Sequence, residues 1–494
     1  MKMKPITRRQ WLAVAAAFGL RPRLEADVQD QPQPAHYHYL LNASINQKPG
    51  VPFRLAAAVL RPGIKERCRN RISFSCSDPQ AVLPAPYEFS SQDDLYESHL
   101  FQVTLRSPGN HTVSMREEKT GREFTSNTVV CTRQELKLRL CFGDIHIHSE
   151  WSIDGRKSAD YNYIYVRDAM NLDFACLTEH DPTDQIWEMV KAKARELYQP
   201  GRFATMSAYE WTGHLFKAGH KNVYYRDWEG PILRSNFTFN RNDRTAHTTS
   251  AADLWAQLRK HAKPVMTIPH HPASKVFPVP WDQYDPEFQR AVEIYSGWGS
   301  SEYLGSPRVL TNRGNAPGHF VQDGLAAGQR LGFVGGSDSH SGRPGYTGNS
   351  RAYCDGDYAD WQPNRPGGTT GVYVEELSRE AIFDAIHKRR CYATTGVRII
   401  LDFKADGHWM GEGYSTRHAP HLQVRVWGTA PLESVTVVKN NQDYYRVAGK
   451  GRDLQFELAK TERPKDTDYY YMRVIQQDGE LAWSYLFSVM EPFG

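Results

Sequence analysis

Three textures of hydrophobic and polar residues follow one another along this 494-residue chain. Between residues 36 and 135 short alternating runs dominate. Phe53 to Leu60, Ile72 to Cys76, Leu100 to Leu105, His111 to Met115 and Val129 to Cys131 each read as a strand. Pro62-Gly63, Pro108-Gly109-Asn110 and Gly121 punctuate them. Strands at this spacing predict an antiparallel, immunoglobulin-like β-sandwich, and no catalytic constellation falls within it. From 136 to 396 short apolar strands alternate with helical patterns. Helices are predicted over Asp160 to Met170 and around Ile186, Val190, Ala194 and Leu197, the latter stopped by Pro200-Gly201. Two more begin after the capping residues Ser250 and Ser378. Such alternation predicts an α/β fold with a parallel sheet or barrel. From 397 to 494 strands return, among them Leu422 to Trp427, Ser434 to Val438 and Tyr469 to Val474, and predict a second β-sandwich. Residues 226 to 249 are polar and irregular, long enough for a lid.

Within the middle segment the metal-capable side chains recur at the C-terminal ends of the predicted strands, where α/β barrels build their sites. His146 and His148 sit at i and i+2 on an extended stretch, so both imidazoles face one way. Asp154, His180, Glu210, His220, His270 beside His271, Asp338 and His340 follow. A lone strand-end histidine is more often a hydrogen-bonded loop residue than a ligand. Nine such residues at successive strand ends are hard to reach by chance. Asp144, two residues before His146, is better placed to orient a ligand than to be one.

Composition narrows the picture modestly. The chain is 40% hydrophobic and 23% charged, with a net charge of +4, which leaves no electrostatic footprint for nucleic acid. Seven scattered cysteines, with no CxxC pair, are not a disulfide framework, although Cys68 and Cys76 could bridge a hairpin. Residues 1–27 place Lys2, Lys4 and Arg8-Arg9 before a mild apolar run from Ala13 to Leu20. This resembles a twin-arginine export signal, followed by a polar, Pro-rich linker over 28–35. The expected location is periplasmic or extracellular. No apolar run is long enough for stable membrane insertion. Oligomeric state is not legible.

The ordered set HxH, Asp, His, Glu, His, His, DxH resembles the polymerase-and-histidinol-phosphatase (PHP) superfamily of metallohydrolases. Gly143-Asp-Ile-His-Ile-His-Ser149, Leu177-Thr-Glu-His-Asp181, Tyr209-Glu-Trp-Thr212, Ile268-Pro-His-His271, Gly336-Ser-Asp-Ser-His340 and Arg390-Cys-Tyr-Ala-Thr-Thr-Gly396 are similar to its DUF3604 branch. The resemblance implies a distorted (β/α)7 barrel, flanked here by N- and C-terminal β-sandwich domains, with two or three divalent ions. By motif, His146, His148, Glu210 and Asp338 would hold one ion. Glu210, His220 and His270 would hold a second, and Asp154, His180 and His340 a third. In many relatives the acid lies seven residues after the first histidine, whereas Asp154 lies eight after His146. Imidazole with carboxylate suits Zn²⁺, Mn²⁺ or Fe²⁺. The implied activity is hydrolysis of a small-molecule ester by a metal-bridging hydroxide, with a phosphoester first. A carboxyl ester or carbamate is the alternative, which an aromatic cleft of Trp151, Trp211 and Trp298 would favour. A third reading is a metal-containing binding protein without catalysis. His271, Arg343 and Lys221 are the candidates to protonate or hold the leaving group.

Overall fold

The structure is a computed structural model that describes residues 37–60, 66–214, 217–235, 247–261, 263–310, 314–345, 367–416, 418–459, 465 and 468–490. The signal-like segment, the linker and Cys354 lie outside the described residues.

The N-terminal segment forms three small sheets. His38–Ala43, Pro52–Leu60 and Ser98–Thr104 make one; Tyr87–Glu88, Arg71–Cys76, Val113–Glu117 and Glu123–Thr125 make another. A third joins Asn46–Gln47, Val129–Cys131 and Gly109–His111. Their inward residues Leu55, Phe101, Val113 and Met115 share a core of their own. Cys68 and Cys76 are both free thiols. Arg398 ties this segment to the rest. Its buried guanidinium donates to the carbonyls of Ala43, Met170 and Asn171.

Fourteen further strands carry the argument: β1 (Arg139–Ile147), β2 (Phe174–Leu177), β3 (Ala204–Thr205), β4 (Ala208–Thr212), β5 (His220–Tyr225), β6 (Val265–His270), β7 (Ala291–Ser296), β8 (Gly332–Gly335), β9 (Thr369–Val374), β10 (Cys391–Thr394), β11 (Leu432–Lys439), β12 (Gln442–Ala448), β13 (Tyr469–Gln476) and β14 (Leu481–Met490). They do not close into the expected (β/α)7 barrel. Among the described residues they divide into separate sheets: β4-β5-β6, a small sheet containing β7-β8, and a ten-stranded sheet in which nine strands run in the order β3-β2-β1-β9-β10-β14-β13-β11-β12 and Tyr414–Ser415 pairs beside β14. Only β1–β2, β2–β3 and β7–β8 pair in parallel within this group; β1–β9, β9–β10, β4–β5 and β5–β6 are antiparallel. The molecule is therefore mostly β-sheet, with five short α-helices of 6 to 14 residues among the described residues. The expected C-terminal sandwich is corrected too, because β14 pairs with β10 and carries the large sheet into the last segment.

The reason lies in the connections. A parallel pair needs a crossover of a dozen or more residues. The link from β4 to β5 is residues 213–219, which permits only a hairpin, and β5 returns beside β4 in antiparallel register. Gly219 supplies the left-handed turn at φ +64°. A side chain at Gly213 would meet the Gly219 carbonyl at 2.2 Å. The predicted helix over 160–170 is α-helical only over Ala159–Ile164 and continues as a π-turn over Tyr165–Ala169. The capping residues behave as predicted: Ser250 and Ser378 accept from the amides of Asp253 and Ala381. No helix among the described residues is long and apolar enough to cross a membrane.

The main core runs from Phe142, Leu177, Val292 and Phe333 through Tyr392 to Val435, Met472 and Trp483. Site strands and C-terminal strands thus share one apolar interior.

Candidate metal centre

Backbone pairing brings the nine predicted residues together. Beyond the end of β1, the amide of His148 donates to the Ser339 carbonyl and that of Asp338 to the His146 carbonyl. Past β2, the amide of Glu210 donates to the Glu179 carbonyl and that of Asp181 back to the Glu210 carbonyl. On the β4-β5-β6 meander, Thr212 lies opposite His220, and His220 opposite His270. Residues two apart share a face, so Glu210, His220 and His270 converge from three adjacent strands. The DxH loop is held by Asp144. Its buried carboxylate accepts from the amides of His146, Ser337 and Gly345, at 3.1, 3.0 and 2.6 Å.

The resulting cluster is almost wholly buried. Glu210 is its hub. Its Oε2 lies 3.3 Å from the Nε2 atoms of both His146 and His148. Its Oε1 lies 3.1 Å from His180 Nδ1, 2.8 Å from His220 Nδ1 and 3.5 Å from His270 Nε2. Asp338 Oδ1 lies 3.4, 3.3 and 3.5 Å from His146 Nε2, His148 Nε2 and His340 Nδ1. Asp154 Oδ1 reaches His180 and His340 at 3.5 and 3.6 Å, so its extra residue of spacing does not keep it away. His270 belongs to two of the groups whose donor atoms converge and His271 to one, with His220 and His270.

Three observations fit this donor set to divalent ions. First, tetrahedral ligands about 2.1 Å from an ion stand about 3.4 Å apart, which matches the spacings above. Second, nitrogens face nitrogens. His146 Nε2 is 3.2 Å from His148 Nε2, and His180 Nε2 is 3.4 Å from His340 Nε2. Neutral imidazole offers one lone pair and one N–H, so facing nitrogens repel unless a proton or a cation lies between them. Third, buried polar atoms are left over. His220 Nε2, both His270 nitrogens, His271 Nδ1 and Asp154 Oδ1 have no hydrogen-bond partner, a cost that an ion would remove. These buried His, Glu and Asp groups could hold a metal ion.

Electrostatics agree. Burial opposes charge on Glu210, but His180, His270 and His220 outweigh it and hold the carboxyl well below its usual range. Burial likewise opposes charge on Asp338, which His146, His148 and His340 hold low. Burial pushes His270 down to about 3, which keeps the ring neutral and leaves one nitrogen free to ligate at neutral pH. Three residues here keep left-handed backbone without being glycine: Asp181 and His271 at φ 32° and Asp338 at φ 51°. Conformations of this kind cost roughly 1–3 kcal/mol each and gather at functional sites.

The three candidates for the leaving group fare differently. His271 lies against the cluster, its ring 4.5 Å from that of His270 and 4.9 Å from Trp298. Lys221 alternates to the opposite face of β5 from His220. Its Nζ donates to the Ala218 carbonyl at 3.2 Å and lies over Trp211, and burial lowers it to about 7. Arg343 turns toward the N-terminal segment and pairs with Glu97. Of the three tryptophans, Trp298 flanks the site with Phe277 and His271. Trp211 is a core residue whose Nε1 donates to Thr248, and Trp151 packs at the edge of two cores.

Two carboxylates escaped the motif reading. Glu293, in the middle of β7, lies 2.9 Å from His146 Nδ1. Glu179 accepts from the hydroxyls of Ser149 and Ser152, and Ser152 Oγ lies 3.2 Å from His148 Nδ1. An acid inside the otherwise apolar run Ala291-Val-Glu-Ile-Tyr295 was the available signal for the first.

Comparison with known proteins places the chain beside uncharacterized relatives. It is 26% identical over 406 residues to an uncharacterized protein of Chlamydia pneumoniae, covering 77% of this chain and 62% of that protein. A Chlamydia trachomatis serovar D protein, also uncharacterized, matches at 26% over 407 residues. The chain thus spans about three-fifths of the length of these curated relatives. The D0-D1 domain of intimin aligns with 22% of this chain and 56% of its own at 16% identity, with a TM-score of 0.18. The model of one family, DUF3604, described as a protein of unknown function, matches residues 161–275, spanning His180 to His271, and 325–420, spanning Asp338 and His340.

Proposed function

We propose that this protein is a metal-dependent hydrolase of small ester substrates, best suited to a phosphoester, with a ligand order akin to that of the PHP superfamily. The observation that carries the reading is the convergence of six histidines on Glu210, Asp338 and Asp154, with ring nitrogens facing one another across the cluster. His146, His148, Glu210 and Asp338 would hold one ion and Glu210, His220 and His270 another; Asp154, His180 and His340 form a third group. Bound ions would supply an activated water and charge neutralisation at the attacked ester. Glu210 presents one oxygen to each of two histidine groups and keeps them in register. Three carboxylates face the cluster directly and Glu293 lies behind His146, so three divalent ions would leave it net positive, which would favour an anionic ester. His271, beside the cluster and buried against Trp298, is the residue placed to meet the leaving group. The loop that carries Asp338 is tied to Asp144, which accepts from the amides of Ser337 and Gly345.

A carboxyl ester or carbamate is the second reading. It is favoured by the Phe277–Trp298 wall, and by Lys221 and Arg343 being engaged elsewhere instead of offering a phosphate cradle. The test is one metal-loaded preparation assayed with naphthyl phosphate, a bis-aryl phosphodiester, naphthyl acetate and a naphthyl carbamate. Turnover of the phosphates, abolished in Asp338→Asn, supports the first reading. Turnover of the carbonyl esters alone selects the second. No turnover of any, with two ions bound, refutes hydrolysis of these classes.

A further inference from the structure

We infer that Glu293 is a positioning residue of the metal centre, and that residue 336 is glycine to make room for it. The inference rests on the reading of the cluster as a metal site. Glu293 sits in β7 between Val292 and Ile294, and its side chain is buried. A buried carboxylate is costly unless it is paired. Its Oε2 is 2.9 Å from His146 Nδ1, while Oε1 is buried with no hydrogen-bond partner. The group is therefore spent on one contact. By accepting from Nδ1–H it fixes the tautomer in which His146 Nε2 carries the lone pair, and Nε2 is the atom facing Glu210, His148 and Asp338.

Gly336 supplies independent support. Its backbone is not left-handed, so conformation does not demand glycine there. Space does: a Cβ would lie 2.3 Å from Glu293 Oε2 and 2.5 Å from His146 Cβ. The first residue of the Gly-Ser-Asp-Ser-His motif thus packs on the Glu293–His146 contact, and the motif's Asp338 lies 3.4 Å from the same imidazole. Parallel pairing of Glu293 with Val334 and of Tyr295 with Gly335 brings the two strands into that register.

The test is equilibrium titration of the metal-free full chain with Co²⁺, read by visible absorption and by bound-metal stoichiometry, alongside melting of the metal-free protein. Glu293→Ala is expected to weaken binding at the tightest site by about 10–100-fold. Glu293→Gln, which still accepts from Nδ1–H, should recover most of that loss. Gly336→Ala should resemble Glu293→Ala. Melting of the metal-free Glu293 variants should stay close to wild type, whereas Gly336→Ala, whose Cβ crowds the same contact, should also melt lower. Wild-type Co²⁺ affinity in Glu293→Ala overturns the inference while leaving the metal reading intact. So does weakened binding that merely tracks a collapse in metal-free stability in both Glu293 variants. Failure of the wild type itself to take up Co²⁺ overturns the metal reading and this inference with it.

Discussion

Glu302 offers the sharpest energetic prediction. It is fully buried in the stretch after β7, and its carboxylate accepts from three residues of the C-terminal strands. Tyr471 Oη donates at 2.7 Å, Arg473 through Nε at 2.9 Å and Nη2 at 2.8 Å, and Trp483 Nε1 at 2.7 Å. Glu302→Ala would strand a guanidinium that is 6% exposed. Breaking a buried pair by removing one partner costs roughly 3–5 kcal/mol, because the remaining charge loses its compensation. Arg473 keeps a second acceptor, the half-exposed Asp443 at 3.1 Å. The lower half of that range, about 3 kcal/mol, is therefore expected. Removing both charges in Glu302→Leu with Arg473→Met should cost clearly less than the two single changes summed, with a coupling of about 2 kcal/mol. Urea unfolding of the four proteins of this cycle, followed by tryptophan fluorescence, measures it. A loss below about 1 kcal/mol in Glu302→Ala, or strict additivity, would show that the network is not the fastening described.

Other perturbations follow from the same contacts. Chelation should lower the melting temperature of metal-loaded protein: an ion present at about 1,000 times its dissociation constant contributes about 4 kcal/mol, and Asp338→Asn should melt alike with and without chelator. Lys221 is depressed to about 7 by burial. Its folded form therefore binds fewer protons than the unfolded form between about pH 7 and 10.4. The penalty is complete below pH 7 and gone above about 10.4, so Lys221→Met should stabilise by up to about 5 kcal/mol at pH 6 and by almost nothing at pH 10.5; an equal gain at both would contradict the assignment. Gly143→Ala should destabilise severely, because its Cβ would lie 2.2 Å from the Phe174 ring and 2.4 Å from the Phe174 carbonyl across the β1–β2 pairing; circular dichroism melting checks this. Arg343→Met should loosen the N-terminal segment, raising hydrogen exchange around Glu97 without removing metal, since Arg343 faces Glu97.

The residues that cluster were legible because metal-capable side chains stand out by type and spacing. His146, His148, Glu210, Asp338 and the rest could be named without knowing how the strands pair. Strand direction was not legible. An apolar run such as Val265 to Ile268 reads identically in parallel and antiparallel pairing. The short 213–219 link was the one cue that β5 turns back on β4. The C-terminal strands looked like a separate sandwich because their alternation is local, whereas the pairing of Tyr392 with Ser484 joins residues 92 positions apart. Arg343 seemed catalytic beside the DxH motif, but its partner Glu97 lies 246 residues away. No local pattern announces such a pairing. Glu293 was visible as an acid in an apolar strand, yet its partner His146 is 147 residues distant.

The passage of the large sheet from β10 into β14 bears on how the chain can be cut. A truncation at Gly396, the boundary that sequence texture recommends, would strip β14 from β10 and bare the backbone of Tyr392 to Thr394. That edge is buried and carries none of the charges or prolines with which natural sheets blunt an open border. A fragment ending at that point should self-associate through this border, whereas one that retains the last strand should remain dispersed.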